Sequence, residues 1–122
     1  MIISFGWTSP ALLAGVKTCT RRDWTEHHAS WFRAGDLVDA WNTSPRNVRA
    51  NPHKIATLRL TADVVLSREY PVSDYEAEGL HWLDDLGYKI HGIRAKVLWL
   101  AWQQEKPALY VVRFEVVEPG AE

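Results

Sequence analysis

Apolar and polar positions alternate with a period of two over two stretches of the chain. In residues 54–66, Ala56, Leu58, Leu60 and Ala62 face one way and Thr57, Arg59 and Thr61 the other, which predicts a half-buried strand. In residues 109–117, Tyr110, Val112, Phe114 and Val116 alternate with Val111, Arg113 and Glu115, giving a closing strand with a clear inner face. Shorter apolar runs at 2–7 and 37–41 read as two more strands. Thr8-Ser9-Pro10 reads as a helix start, with Thr8 or Ser9 as cap and Pro10 at the first helical position; the helix covers about 10–14 and Gly15 stops it. A second short helix is expected over 27–34, ending at Gly35-Asp36.

Helical periodicity is strongest over 73–86, where Ser73-x-x-Glu76 fits a capping box and the apolar arc holds Tyr75, Gly79, Leu80, Trp82, Leu83 and Leu86. Another helix is expected over 90–103, with Ile90, Ile93, Val97 and Leu100 as its core stripe. Strands and helices do not alternate regularly, so the pattern argues against a doubly wound parallel sheet. It predicts an α+β fold, a small mixed β-barrel flanked by short helices.

The 122 residues are close to the commonest size of one domain and can bury a core without metals or disulfides. The loop at 43–52, rich in Asn, Ser, Pro and Arg, is too short to divide the chain, so a single domain over 1–122 is expected. Cys19 is the one cysteine, so no intramolecular disulfide forms. Residues 1–7 are too short for a signal peptide. No apolar run approaches the roughly 20 residues that span a bilayer. The expectation is a soluble, cytoplasmic protein without a membrane partner.

A net charge of −1 weakens the case for tight unspecific binding to long nucleic acid. The distribution is uneven: eight Lys and Arg stand against four Asp and Glu in residues 1–62, and six against eleven thereafter. Either the first half draws in an anion, or the two halves attract each other in the fold. Residues 17–22, Lys-Thr-Cys-Thr-Arg-Arg, concentrate three cations and two hydroxyls. Arg supplies planar paired donors, Thr a hydroxyl, and Lys a point charge that burial can neutralise. The run suits a cavity for an anion or a polar base edge, and equally a solvated edge strand on which cations discourage aggregation. Neighbouring cations would lower the pKa of Cys19, yet a buried inert thiol is the commoner outcome.

His27, His28, His53, His81 and His91 form no ligand spacing, and His-x-Glu and Cys-x-x-Cys are absent. A zinc deaminase is therefore disfavoured, and neither a metal nor a cofactor is expected. Gly-rich phosphate loops and a Gly-x-Ser-x-Gly elbow are also missing. Of the seven tryptophans, Trp82 is expected in the core. Trp99 points away from the Ile90/Ile93/Val97 stripe, so it is expected to face a partner or a second copy in a homodimer. Trp24 and Trp41 flank the polar cluster and the next strand, where each either packs or stacks on a base.

The stretch 12–39 resembles the ASCH domain, a branch of the PUA-like superfamily. The resemblance rests on Leu-Leu-Ala-Gly-x-Lys-Thr-x-Thr-x-Arg, ending at Arg22, and on Phe32-x-x-Gly-Asp. Ala77-Glu78-Gly79-Leu80 is similar to the family's Glu-Gly element, and Trp102 with the strand to Phe114-Glu115 is similar to its closing segment. The resemblance implies a small barrel with a side pocket and a nucleoside or short RNA as partner. One branch hydrolyses the acetyl amide of N4-acetylcytidine. By position, its catalytic Lys, Thr and Glu fall on Lys17, Thr20 and Glu78: Thr20 attacks the acyl carbon, Lys17 takes its proton, and Glu78 orients groups or shuttles a proton. Arg21, Arg22, Trp24, Trp41 and Asn42 complete the set as substrate-binding candidates.

Two geometric conditions attach to that set. On a regular strand Lys17 and Thr20 face opposite ways, so the chain must bend between them. On an unbroken 73–86 helix Glu78 lies on the polar face with His81 and Asp85, so it reaches a pocket only beside that face or if Gly79 breaks the helix. The arrangement also suits a ribonuclease, or a non-catalytic RNA reader in which Arg46 and Arg49 join the contacts to phosphate.

Overall fold

The computed structural model describes residues 1–119. Its frame is a curled mixed sheet of β1 (Ile2–Ser4), β2 (Cys19–Arg22), β3 (Leu37–Trp41), β4 (Lys54–Leu60), β5 (Val65–Ser67) and β8 (Leu109–Pro119). Strand order is β1-β3-β4-β8-β2, and β5 also pairs with β8. β1 runs parallel to β3, and the other pairings are antiparallel. The long β8 makes the sheet curl. Its C-terminal half pairs with β4, from Leu60↔Phe114 to Ala56↔Pro119. Its N-terminal half carries β2, from Cys19↔Arg113 to Arg22↔Tyr110, and also β5. An irregularity at Thr57/Leu58 adds local twist, and the sheet closes into a half-barrel. The result is a small α+β barrel-like fold, as the sequence pattern indicates.

Inside the curl, Ile3, Phe5, Val38, Leu58, Val112 and Phe114 form the main core. Helices α1 (Ser9–Leu13), α2 (Glu26–Ala29), α3 (Val72–Ala77), α4 (Leu80–Asp85) and α5 (Ala95–Glu105) surround it. Ala11, Tyr70, Leu80, Leu83, Ala95 and Trp99 form a second core that joins α1, α4 and α5.

Several elements differ from the sequence expectation. The first strand stops at Ser4, because Gly6 at φ +53 turns the chain into a 3₁₀ turn, Gly6–Thr8. The strand expected over 54–66 ends at Leu60, and the chain turns before β5. The 73–86 helix is two helices, split at Gly79 with φ +79. No capping box forms: α3 begins at Val72 after Pro71, without a side-chain cap. The 90–103 helix starts only at Ala95. Before it, β6 (Lys89–Ile90) and β7 (Ile93–Arg94) make a hairpin. His91 and Gly92 both have positive φ there, the conformation of a tight two-residue hairpin turn.

The expected stripe of this helix is consequently on the outside: Ile93, Val97 and Leu100 are 49%, 53% and 52% exposed. The inward residues are Ala95 and Trp99. Trp99 is 3% exposed, so the reading that turned it toward a partner is corrected.

Candidate functional site

A bend precedes the polar run after α1. Gly15 adopts φ +78 at the end of α1, and Val16 N–H returns to Ala11 O. Thr18 N–H donates to Ala77 O at 2.7 Å, and Thr18 O accepts from Phe114 N–H at 3.0 Å. Lys17 precedes the regular ladder of β2, and its side chain, like those of Cys19 and Arg21, is directed at Glu78. Within β2, Cys19 and Arg21 share one side, with Arg21 Nη1 4.0 Å from Cys19 Sγ. Thr20 and Arg22 share the other, where Arg22 Nε donates to Thr20 Oγ1 at 3.2 Å.

Gly79 supplies the second bend. Its left-handed backbone costs an L-residue strain that glycine avoids, and it ends α3 so that Glu78 leaves the polar face of the helix. The Glu78 carboxylate then accepts Lys17 Nζ at 3.2 Å through Oε1 and Arg21 Nη1 at 2.8 Å through Oε2. Lys17 Nζ also donates to Glu78 O at 2.9 Å. Arg21 continues outward: Nη2 donates to Asp74 and to Glu69 O, while Arg113 grips Asp74 through both terminal nitrogens.

The ion pairs Lys17–Glu78, Arg21–Glu78, Arg21–Asp74 and Arg59–Glu115 each join a cation of the first half to an acid of the second. The charge asymmetry of the sequence thus serves, at these positions, to hold the halves together.

Burial controls the electrostatics. Lys17 is 1% exposed, and loss of hydration pushes its ammonium below the usual lysine range, against the pull of Glu78. Burial likewise takes Arg22 down to about 10, opposed by Glu78. The Cys19 thiol is pushed up to about 12, by burial first and then by Glu78. Cys19 is an inert thiol rather than a nucleophile at neutral pH. For Asp74, burial favours the neutral acid, but hydrogen bonds from Arg113 and Arg21 outweigh it and hold the carboxyl below its ordinary range.

These groups border a cavity of about 230 Å³ lined by Lys17, Thr20, Arg21, Arg22 and Glu78. Its other wall is apolar and includes Phe5, Trp7, Leu98 and Trp102. Arg22 lies over the Phe5 ring at 5.2 Å. Arg21 is at the rim but committed: besides its two carboxylates, its guanidinium stands 4.8 Å from the Tyr70 ring and 5.5 Å from that of Trp99.

The remaining candidates lie off this cavity. Trp24 stacks on Phe32 at 4.6 Å and meets His28 edge-on. Trp41 ends β3, with its indole N–H buried and unpartnered. Asn42 braces the following loop, accepting from His53 N–H and donating to Asn51 O. The tryptophans at the cavity are instead Trp7 and Trp102. Trp7 lay inside an expected strand, and no periodic signal singles it out. Asp74 was hidden in the expected capping box. Among the described residues no cluster of His, Cys, Asp and Glu is suited to hold a metal ion, and no helix is long and apolar enough to cross a membrane.

The fold is similar to that of a solved structure, protein EF3133 from Enterococcus faecalis V583, described as a member of the DUF984 family. The two superpose with a TM-score of 0.57 at 18% identity, over 96% of this chain and 74% of the other. At that identity the likeness speaks for the fold. No family model matches the sequence, and no curated protein matches it.

Proposed function

We propose that this chain is a nucleoside-directed amidohydrolase of the ASCH type, acting on an acyl amide of a modified base such as N4-acetylcytidine. The observation that carries the reading is the shared cavity. Lys17, Thr20, Arg22 and Glu78, separated by up to 61 positions, line one hollow from which water is largely excluded around the lysine.

Each group has a chemical part to play. Burial favours the neutral amine of Lys17, the form able to accept a proton. Thr20 Oγ1 already accepts a hydrogen bond from Arg22, which leaves its own proton to donate and stabilises developing negative charge on the oxygen. In the reaction Thr20 Oγ bonds to the acyl carbon while Lys17 takes the hydroxyl proton. The C–N bond breaks, the exocyclic nitrogen leaves with that proton, and water then hydrolyses the threonyl ester to free acid. Glu78 holds Lys17 in place throughout, and Arg22 faces the acyl oxygen. The apolar wall with Trp7 and Trp102 offers flat faces for a base. The cavity is smaller than the roughly 300–1,000 Å³ of sites that enclose drug-sized ligands, which favours one base with its acyl group over a polymer.

The alternative is a non-catalytic RNA reader. It is favoured by Arg46 and Arg49, both exposed in the loop after Asn42. It is weakened by Arg21, whose terminal nitrogens are engaged by Glu78, Asp74 and Glu69. Incubating the purified protein with N4-acetylcytidine and following cytidine and acetate tests the enzyme directly; no product from folded protein removes this activity. Binding to RNA that weakens steeply with salt would support the reader.

A further inference from the structure

A line of alternating charge leads from the cavity to the surface: Lys17, Glu78, Arg21, Asp74, Arg113. The first four are buried, whereas the Arg113 side chain is 43% exposed. Asp74 and Arg113 are absent from the cavity of Lys17 and Thr20; with Arg21 they border a second hollow of about 280 Å³. Arg21 is the shared member. Nη1 serves Glu78 at 2.8 Å and Nη2 serves Asp74, and Arg113 closes on Asp74 at 2.9 and 3.0 Å.

We propose that Asp74 and Arg113 are positioning residues that act through Arg21 on the Glu78 carboxylate, and so govern from outside the cavity how strongly Glu78 holds the charge of Lys17. The proposal rests on the catalytic reading of the cavity and adds a control to it.

The argument is electrostatic and geometric. Arg21 divides its charge between two carboxylates. While Asp74 is ionised it offsets part of that charge, and Glu78 remains a strong partner for Lys17. Neutralising Asp74 turns Arg21 wholly toward Glu78, and the surroundings of Lys17 become more positive. Removing Arg113 leaves Asp74 with Arg21 as its cationic partner and does the reverse. The charged and titratable groups facing Lys17 are Glu78 from the junction of α3 and α4, and Cys19 and Arg22 from β2. Cys19, Glu69 O, Tyr70 and Trp99 complete the surroundings of Arg21. At an effective dielectric of ~20 a unit charge ~10 Å away is felt at the scale of a pKa unit.

The test follows Lys17 by NMR titration of carbon-labelled lysine side chains in the ligand-free protein, for wild type, Asp74→Asn and Arg113→Gln. The pH dependence of cytidine release is measured alongside. Asp74→Asn is expected to move the Lys17 midpoint to lower pH and Arg113→Gln to higher pH, each by about half a pH unit or more. The acid limb of kcat/KM is expected to move with it. A residue that merely supports the fold does not give shifts of opposite sign. An unmoved Lys17, or shifts in the same direction, overturns the proposal. If Asp74→Asn does not fold, the upward shift in Arg113→Gln decides alone. Opposite shifts without any cytidine release would leave the charge relay standing and remove the catalytic reading; release with an unmoved Lys17 would do the opposite.

Discussion

Gly79 lies against Lys17 so closely that a Cβ on the glycine would stand 3.3 Å from Lys17 Cβ, and 2.7 Å from that of Ala11. The same residue holds φ +79. One position thus breaks the helix, turns Glu78 inward and makes room for the lysine it pairs with.

Gly79→Ala should therefore act on stability and site together. A left-handed alanine costs about 1–2 kcal/mol, and the forced contact with Ala11 adds about 1–3 kcal/mol. Urea denaturation should show a loss of about 2–5 kcal/mol. A loss well under 1 kcal/mol would mean that the close approach does not exist.

Lys17 gives the stability an alkaline signature. Its folded-state pKa lies below the ordinary value of 10.5, so between those two values the unfolded chain binds more protons than the folded one. Stability contributed by this group rises with pH across that window. Cys19, pushed up from 9.0 to about 12, works in the opposite direction, so the informative quantity is the difference between variant and wild type. Lys17→Met should lower the slope of stability against pH below 10.5 relative to wild type. Parallel curves would show that the lysine is not depressed by burial.

Trp99 walls the guanidinium of Arg21 and belongs to the helical core. Trp99→Ala should cost about 3–5 kcal/mol in chemical denaturation and leave the mass in solution as in wild type. A change of oligomeric state with stability retained would return Trp99 to an interface.

The half-barrel was legible because β4 and β8 carry their alternation in plain sight: Leu58 and Leu60 face Phe114 and its neighbours as the period of two requires. The split at Gly79 was visible only as one of two conditions under which Glu78 could reach a pocket, since the apolar arc runs unbroken across it. The hairpin at His91-Gly92 lost to a helical period in Ile90, Ile93 and Val97. Side-chain periodicity carries no information about φ, and there the backbone decided. The cavity's cationic side follows from a local run of residues. Its aromatic side does not, because Trp7 and Trp102 come together only through the curl of the sheet and the placement of α5.

The central claim is that Thr20 is the nucleophile in this cavity. It is tested most directly by steady-state cytidine release from N4-acetylcytidine by wild type, Thr20→Ser and Thr20→Val, with folding of each confirmed by thermal melting. The account predicts turnover by wild type, residual turnover by Thr20→Ser, and a loss of about a thousandfold or more in Thr20→Val, the scale on which removing an activated nucleophile acts. Turnover by Thr20→Val at the wild-type rate would contradict it.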